Sequence, residues 1–173
     1  AILYSDNKHD FLPEAAIEKT HEALLAYMPG EQDVRGYVPV KGWAHSVAHA
    51  ADVIDELVKN PKLDAAAYPE LAKALWNKIF ISESVYVHAE EERLLVPLLE
   101  MLERGMDLKL IEELLTEMPE KVLLQKQQLP EENYWFLVAN CKGFLKSFYV
   151  ETGKKLNLSI LQKNIGESLK AME

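Results

Sequence analysis

The stretch Gly36–Leu57, "GYVPVKGWAHSVAHAADVIDEL", has a loose echo at Val85–Leu102, "VYVHAEEERLLVPLLEML". Each reads Tyr-Val, a short polar turn, then apolar residues at helical spacing. In the first copy, Val47, Ala50, Ala51, Ile54, Leu57 and Val58 gather on one side of such a helix. His45, His49, Asp52 and Glu56 gather on the other, at spacings of four, three and four. A turn-plus-helix unit that recurs at this interval is the pattern of stacked helical hairpins. The expected fold is therefore all-α, an α-solenoid superhelix of the HEAT-like kind. A compact up-and-down bundle is the alternative.

The rest of the chain agrees, because almost no segment alternates with period two. A first long helix is expected from about Pro13 to Met28, with Pro13 in its first turn and Pro29-Gly30 as its stop. The loop "EQDVRGYVPVKG" leads to a second helix from about Trp43 to Lys59, halted by Asn60-Pro61. A third is expected from Pro69 to Ser84. A break around "VYVHAEE" is preferred to one continuous helix, because it places Pro97 in the early turns of a new helix beginning near Glu91. Glu90, Glu91 and Glu92 then lie at a helix N-terminus, where the macrodipole favours them. Beyond Asp107 come "LKLIEELLTEM", a restart at Pro119, a helix between Pro130 and Gly153, and a last helix from about Leu158 to Met172.

The 173 residues suit one helical domain, residues 1–173. The opening "AILY" reads like the tail of an apolar helix, so the chain is expected to be the C-terminal part of something longer. It carries no signal-peptide pattern, and a cytoplasmic location is expected. A formal net charge of −9 and a pI near 5.1 argue against a nucleic-acid partner. The same balance argues against an anionic membrane surface. Cys141 is the one cysteine and sits in "WFLVANCKGFL", where a buried small hydrophobe is expected rather than a reactive thiol. There is no Gly-rich phosphate loop, no GxSxG and no CxxC pair, so nucleotide cofactors and serine-hydrolase chemistry are not expected.

The histidine stripe is the chemically interesting feature. HxxxH places two imidazoles on one helical face, and a carboxylate is the usual third metal ligand. Here the set would be His45, His49 and Asp52. The glutamate that follows the first histidine in zinc proteases is Ser46, so that reading fails. Small neighbours (Ala44, Ser46, Ala48, Ala50 and Ala51) leave room for something to approach. His88-x-x-x-Glu92 followed by "LLVPLL" superficially resembles a hemerythrin-like helix. No histidine follows His88, so the second half of a di-iron site is missing.

Three segments, in order, give a more extensive resemblance. "DVRGYVPVKGWAHSVAHAADVIDELVKNP", "VYVHAEEERLLVPLLEMLERG" and "NCKGFLKSFYVETGKKL" together resemble a bacterial helical family, domain of unknown function 2785. The resemblance implies a helical protein whose marked positions are Arg35, Gly36, Trp43, His45, His49, Asp52, Glu90, Glu92 and Arg93. It also implies a glycine or acidic turn where this chain has His88-Ala89. It transfers no activity.

Two roles are open to these residues. They form a buried network in which Arg35 and Arg93 clamp carboxylates between hairpins. Or they line a groove, with Trp43 as a wall. The expected function is binding of a protein or a small polar ligand through a groove made by Arg35, Trp43, His45, His49, Asp52, Glu92 and Arg93. No cofactor is required. The alternative is a metal-dependent, hydrolase-like enzyme with a divalent metal on His45, His49 and Asp52 or Glu92. Oligomerisation through an apolar end is compatible with either.

Overall fold

A computed structural model describes residues 1–172. Among them are eight α-helices: α1 (Ile2–His9), α2 (Glu14–Gly30), α3 (Ser46–Val58), α4 (Tyr68–Asn77), α5 (Glu90–Glu103), α6 (Leu108–Gln125), α7 (Glu131–Gly153) and α8 (Ser159–Ala171). Between α2 and α3 lie two short antiparallel strands, β1 (Tyr37–Val38) and β2 (Gly42–Trp43), paired Tyr37 to Trp43 and Val38 to Gly42. Among the described residues, no helix is long and apolar enough to cross a membrane.

The helices form where the apolar periodicity places them. α3 buries Val47, Ala50, Ala51, Ile54, Leu57 and Val58, the stripe read from the sequence. α1 packs on α3, α3 on α5 and α5 on α7, while α2 packs on α4 and α6 on α8. α3 and α5 make the most extensive helix pair. Their N-termini lie side by side, since His45 meets Glu90 and Asp52 meets Arg93. Trp76, Phe144 and Phe148 are fully buried and stack edge to face in the core. Cys141 is fully buried, and that burial pushes its thiol up to about 12.

Several boundaries differ from expectation. α3 starts at Ser46 rather than Trp43, because residues 37–43 are spent on the hairpin. α4 ends at Asn77, well before Ser84, and a segment of turns and bends leads to α5. The break before α5 falls at Ala89, with all three glutamates in the first turn. Pro119 does not restart a helix. α6 runs through it, losing one backbone hydrogen bond, whereas α2 stops at Pro29-Gly30 as expected. α5 ends at Glu103, and Gly105 beyond it takes a φ of +95° that suits glycine, with Met106 N–H donating to the Met101 carbonyl.

The N-terminal helix is tied down by one buried carboxylate. Asp6 is 2% exposed. It accepts from the Phe11 and Leu12 amides at 2.8 and 2.6 Å, from Asn60 at 2.8 Å and from Lys62 Nζ at 3.1 Å. These bonds hold its pKa down at about 2, the Leu12 amide contributing most.

Candidate functional site at the junction of the third and fifth helices

His45 does not sit within α3. It caps the helix, in the left-handed region at φ 48°. Ala89 caps α5 in the same way, at φ 62°. Left-handed backbone costs a residue with a Cβ roughly 1–2 kcal/mol, so surrounding contacts must hold it. For His45 those contacts are visible. Its amide donates to the Arg35 carbonyl at 2.9 Å, and the Ala44 amide donates to the Gly36 carbonyl at 2.9 Å. Ser46 Oγ donates to the Asp33 carbonyl at 2.7 Å.

Arg93, one turn into α5, gathers the stripe. Its Nε donates to Asp52 Oδ1 at 3.0 Å and its Nη2 to Asp52 Oδ2. Nη1 lies 3.2 Å from His45 Nδ1, and Nη2 lies 3.1 Å from His49 Nδ1. Arginine only donates, so both Nδ1 atoms accept and the proton of each neutral ring sits on Nε2. His45 and Asp52, both marked by the sequence, thus meet on a guanidinium together with His49.

On its other side His45 faces Glu90. Nε2 lies 3.1 Å from Glu90 Oε1, and both residues are buried, at 8% and 2% exposure. The two atoms are near enough to attract but not aligned as a hydrogen bond, and neither has another hydrogen-bond partner. Glu90 Oε2 accepts from the His88 amide at 2.8 Å. His88 Nδ1 lies 3.8 Å from the same Oε1. Ligand atoms of His45, His88 and Glu90 all fall within 4.8 Å of one another.

Gly36 explains why the sequence turns here without a side chain. A Cβ at Gly36 would overlap Glu90 Oε1 and His88 Nδ1, and would lie 2.8 Å from His88 Cγ. The glycine is needed for close approach, not for an unusual φ.

Trp43 stands over the cluster. Its ring is 4.6 Å from that of His45, 5.3 Å from His88 and 5.2 Å from Tyr37, centroid to centroid. It is nevertheless 59% exposed.

Two expected members lie elsewhere. The Arg35 guanidinium pairs with Asp33 in solvent, so Arg35 positions His45 through its backbone carbonyl and not as a clamp. Glu92 points into a separate groove of about 480 Å³ between α5 and α7, lined also by Leu95, Val96, Lys146 and Val150. Sequence reasoning marked Glu90 only through the family resemblance and left both His88 and Glu90 out of the groove. The signal was present as "HAE", a histidine and a carboxylate two residues apart, but helical spacing drew attention to His88 and Glu92 instead.

Together these features define an all-helical domain with a histidine-rich ionic junction between two parallel helix N-termini. The family described as "Protein of unknown function (DUF2785)" matches residues 1–150, and the chain belongs to that family. No curated protein and no solved structure shows a significant match to the chain.

Proposed function

We propose that the chain is a protein-binding module and that its recognition face is the surface made by residues 36–45 and the segment leading into α5. The observation that carries this reading is the exposed aromatic and aliphatic cluster over the ionic junction. Trp43 and Tyr37 are exposed on the paired strands, Val40 is fully exposed at their tip, and Val87 is exposed beside His88. Exposed tryptophan and tyrosine grouped with aliphatic residues mark contact surfaces more often than ordinary solvent faces. The tip projects, so the occupant that suits it is a protein surface with a recess for Trp43. His49 and His88 supply hydrogen-bonding rim groups. The network beneath would hold the anchors rigid before a partner arrives.

The succession of α1, α3, α5 and α7 supports an extended helical-hairpin stack, in which this face recurs at one end of the helix layer. A metal-dependent hydrolase built on His45, His49 and Asp52 is less well supported. Each histidine gives its Nδ1 to Arg93, and Asp52 gives both carboxylate oxygens to it.

A photo-crosslinking residue at Val40, introduced into the full chain in its native cell, tests the reading. One discrete protein adduct is expected, absent with the crosslinker at Lys109 and lost on Trp43→Ala in a chain that remains folded. Equal labelling from Val40 and Lys109, or an adduct indifferent to Trp43→Ala, would count against it.

A further inference from the structure

We infer that His45, His88 and Glu90 form a binding site for one divalent transition-metal ion of the zinc type. The site differs from the HxxxH set of α3. It shares only His45 and takes its other ligands from the start of α5.

Three observations lead there. First, the donor set is two imidazoles and a carboxylate, the composition used by zinc sites that keep a fourth position for water. Second, the spacing is close to that of a formed site. Ligand atoms about 2.0–2.1 Å from a tetrahedral ion lie roughly 3.3 Å apart. Here His45 Nε2 and His88 Nδ1 stand 3.1 and 3.8 Å from Glu90 Oε1. Third, His45 Nε2 and Glu90 Oε1 are buried and have no hydrogen-bond partner. An unpartnered buried carboxylate oxygen is costly, and a cation between these atoms removes that cost. Gly36 keeps the approach open, because any side chain there would fill the space beside Glu90 Oε1 and His88 Nδ1.

The proton balance is explicit. Arg93 donates to His45 Nδ1, so the ring proton is on Nε2. Coordination through Nε2 moves that proton to Nδ1, which then faces Arg93 Nη1 as donor against donor. The guanidinium is planar and rigid, so it turns away as a unit and its grip on Asp52 rearranges with it. The weak approach of the Tyr37 amide to His88 Nδ1, at 3.5 Å, is given up as well. The ion therefore exchanges the Arg93 contact of His45, with the linked rearrangement at Asp52, and the weak Tyr37 contact for three coordinate bonds.

The inference stands apart from the protein-binding reading, since a partner can cover Trp43 whether or not an ion lies beneath it. The experiment uses the full untagged chain, stripped with chelator and titrated with Zn²⁺ by calorimetry and with Co²⁺ by visible absorption. One equivalent of each ion is expected, with cobalt bands of a four- or five-coordinate nitrogen and oxygen site. His88→Ala and Glu90→Gln should each weaken binding by about tenfold or more. His49→Ala should leave it unchanged. His88 is partly exposed, so its variant serves if Glu90→Gln fails to fold. Absence of a saturable one-equivalent site overturns the inference. So does binding that survives His88→Ala and is lost in His49→Ala. Either failure leaves the Val40 crosslinking result untouched.

Discussion

Arg93 of α5 grips Asp52 of α3 with two nitrogens, and the same guanidinium reaches the Nδ1 atoms of His45 and His49. One side chain thus ties the first two turns of α3 to the first turn of α5. The pair is only partly buried, with side-chain exposures of 27% for Arg93 and 53% for Asp52, so solvent screens it. A double-mutant cycle with Arg93→Met and Asp52→Asn should give a coupling of about 0.5–1 kcal/mol that shrinks in 1 M salt. A coupling near zero at low salt would show that the grip is not formed in solution.

Gly36→Ala places a methyl group onto Glu90 and His88. Glu90 is buried and cannot move away without breaking its bond to the His88 amide. The variant should lose about 1–3 kcal/mol, read as a lower urea midpoint with an unchanged slope. Gly30→Ala is the control, because nothing lies near a Cβ there.

Ala89 holds a positive φ with no side-chain bond to justify it. Ala89→Gly removes that strain but adds freedom to the unfolded chain, so a gain of roughly 0–1 kcal/mol is expected. The family resemblance implied glycine or an acidic turn at this place, and the backbone gives the reason. A clear loss of stability would mean that the Ala89 methyl packs usefully.

These positions show how far the sequence could be read. The apolar stripe of α3 follows from helical periodicity, a local effect, and the break ahead of Glu90 falls where it was read, although Pro97 lies inside α5 rather than in its first turn. The hairpin at 37–43 did not follow, since two-residue strands leave no alternation to detect. Pro119 did not end its helix, because packing on neighbouring helices outweighed one lost hydrogen bond, whereas α2 stops at Pro29-Gly30 as read. The site was half legible. His45, His49, Asp52 and Arg93 declare themselves by spacing and charge. Glu90 and His88 join only because His45 leaves the helix and Gly36 lets two segments touch, which is tertiary information. Arg35 carries the same charge as Arg93, and the signal for its capture was local, the Asp33 carboxylate two residues before it.

Acid should release the N-terminal helix. Asp6 has a pKa of about 2 in the folded protein against an ordinary 3.8, so the unfolded chain takes up its proton first as pH falls. Its contribution is complete above about pH 4 and is lost as pH drops toward 2. Asp6→Asn should flatten stability against pH within that window, measured by urea unfolding at successive pH values. An unchanged slope would remove Asp6 as the source.

Cys141 should resist alkylation. Its thiol is buried and pushed up to about 12, so iodoacetamide at pH 8 should label it only as fast as the chain unfolds. Labelling faster than global unfolding would reveal a local opening of α7.

The central claim is that His45 is held between Arg93 and Glu90. Long-range ¹H–¹⁵N correlation of the histidine rings in chelator-treated protein tests it most directly. The account predicts that the His45 ring carries its proton on Nε2 and accepts at Nδ1, and that Arg93→Met erases this preference. A His45 ring protonated on Nδ1, or one averaging between tautomers in the native chain, would contradict it.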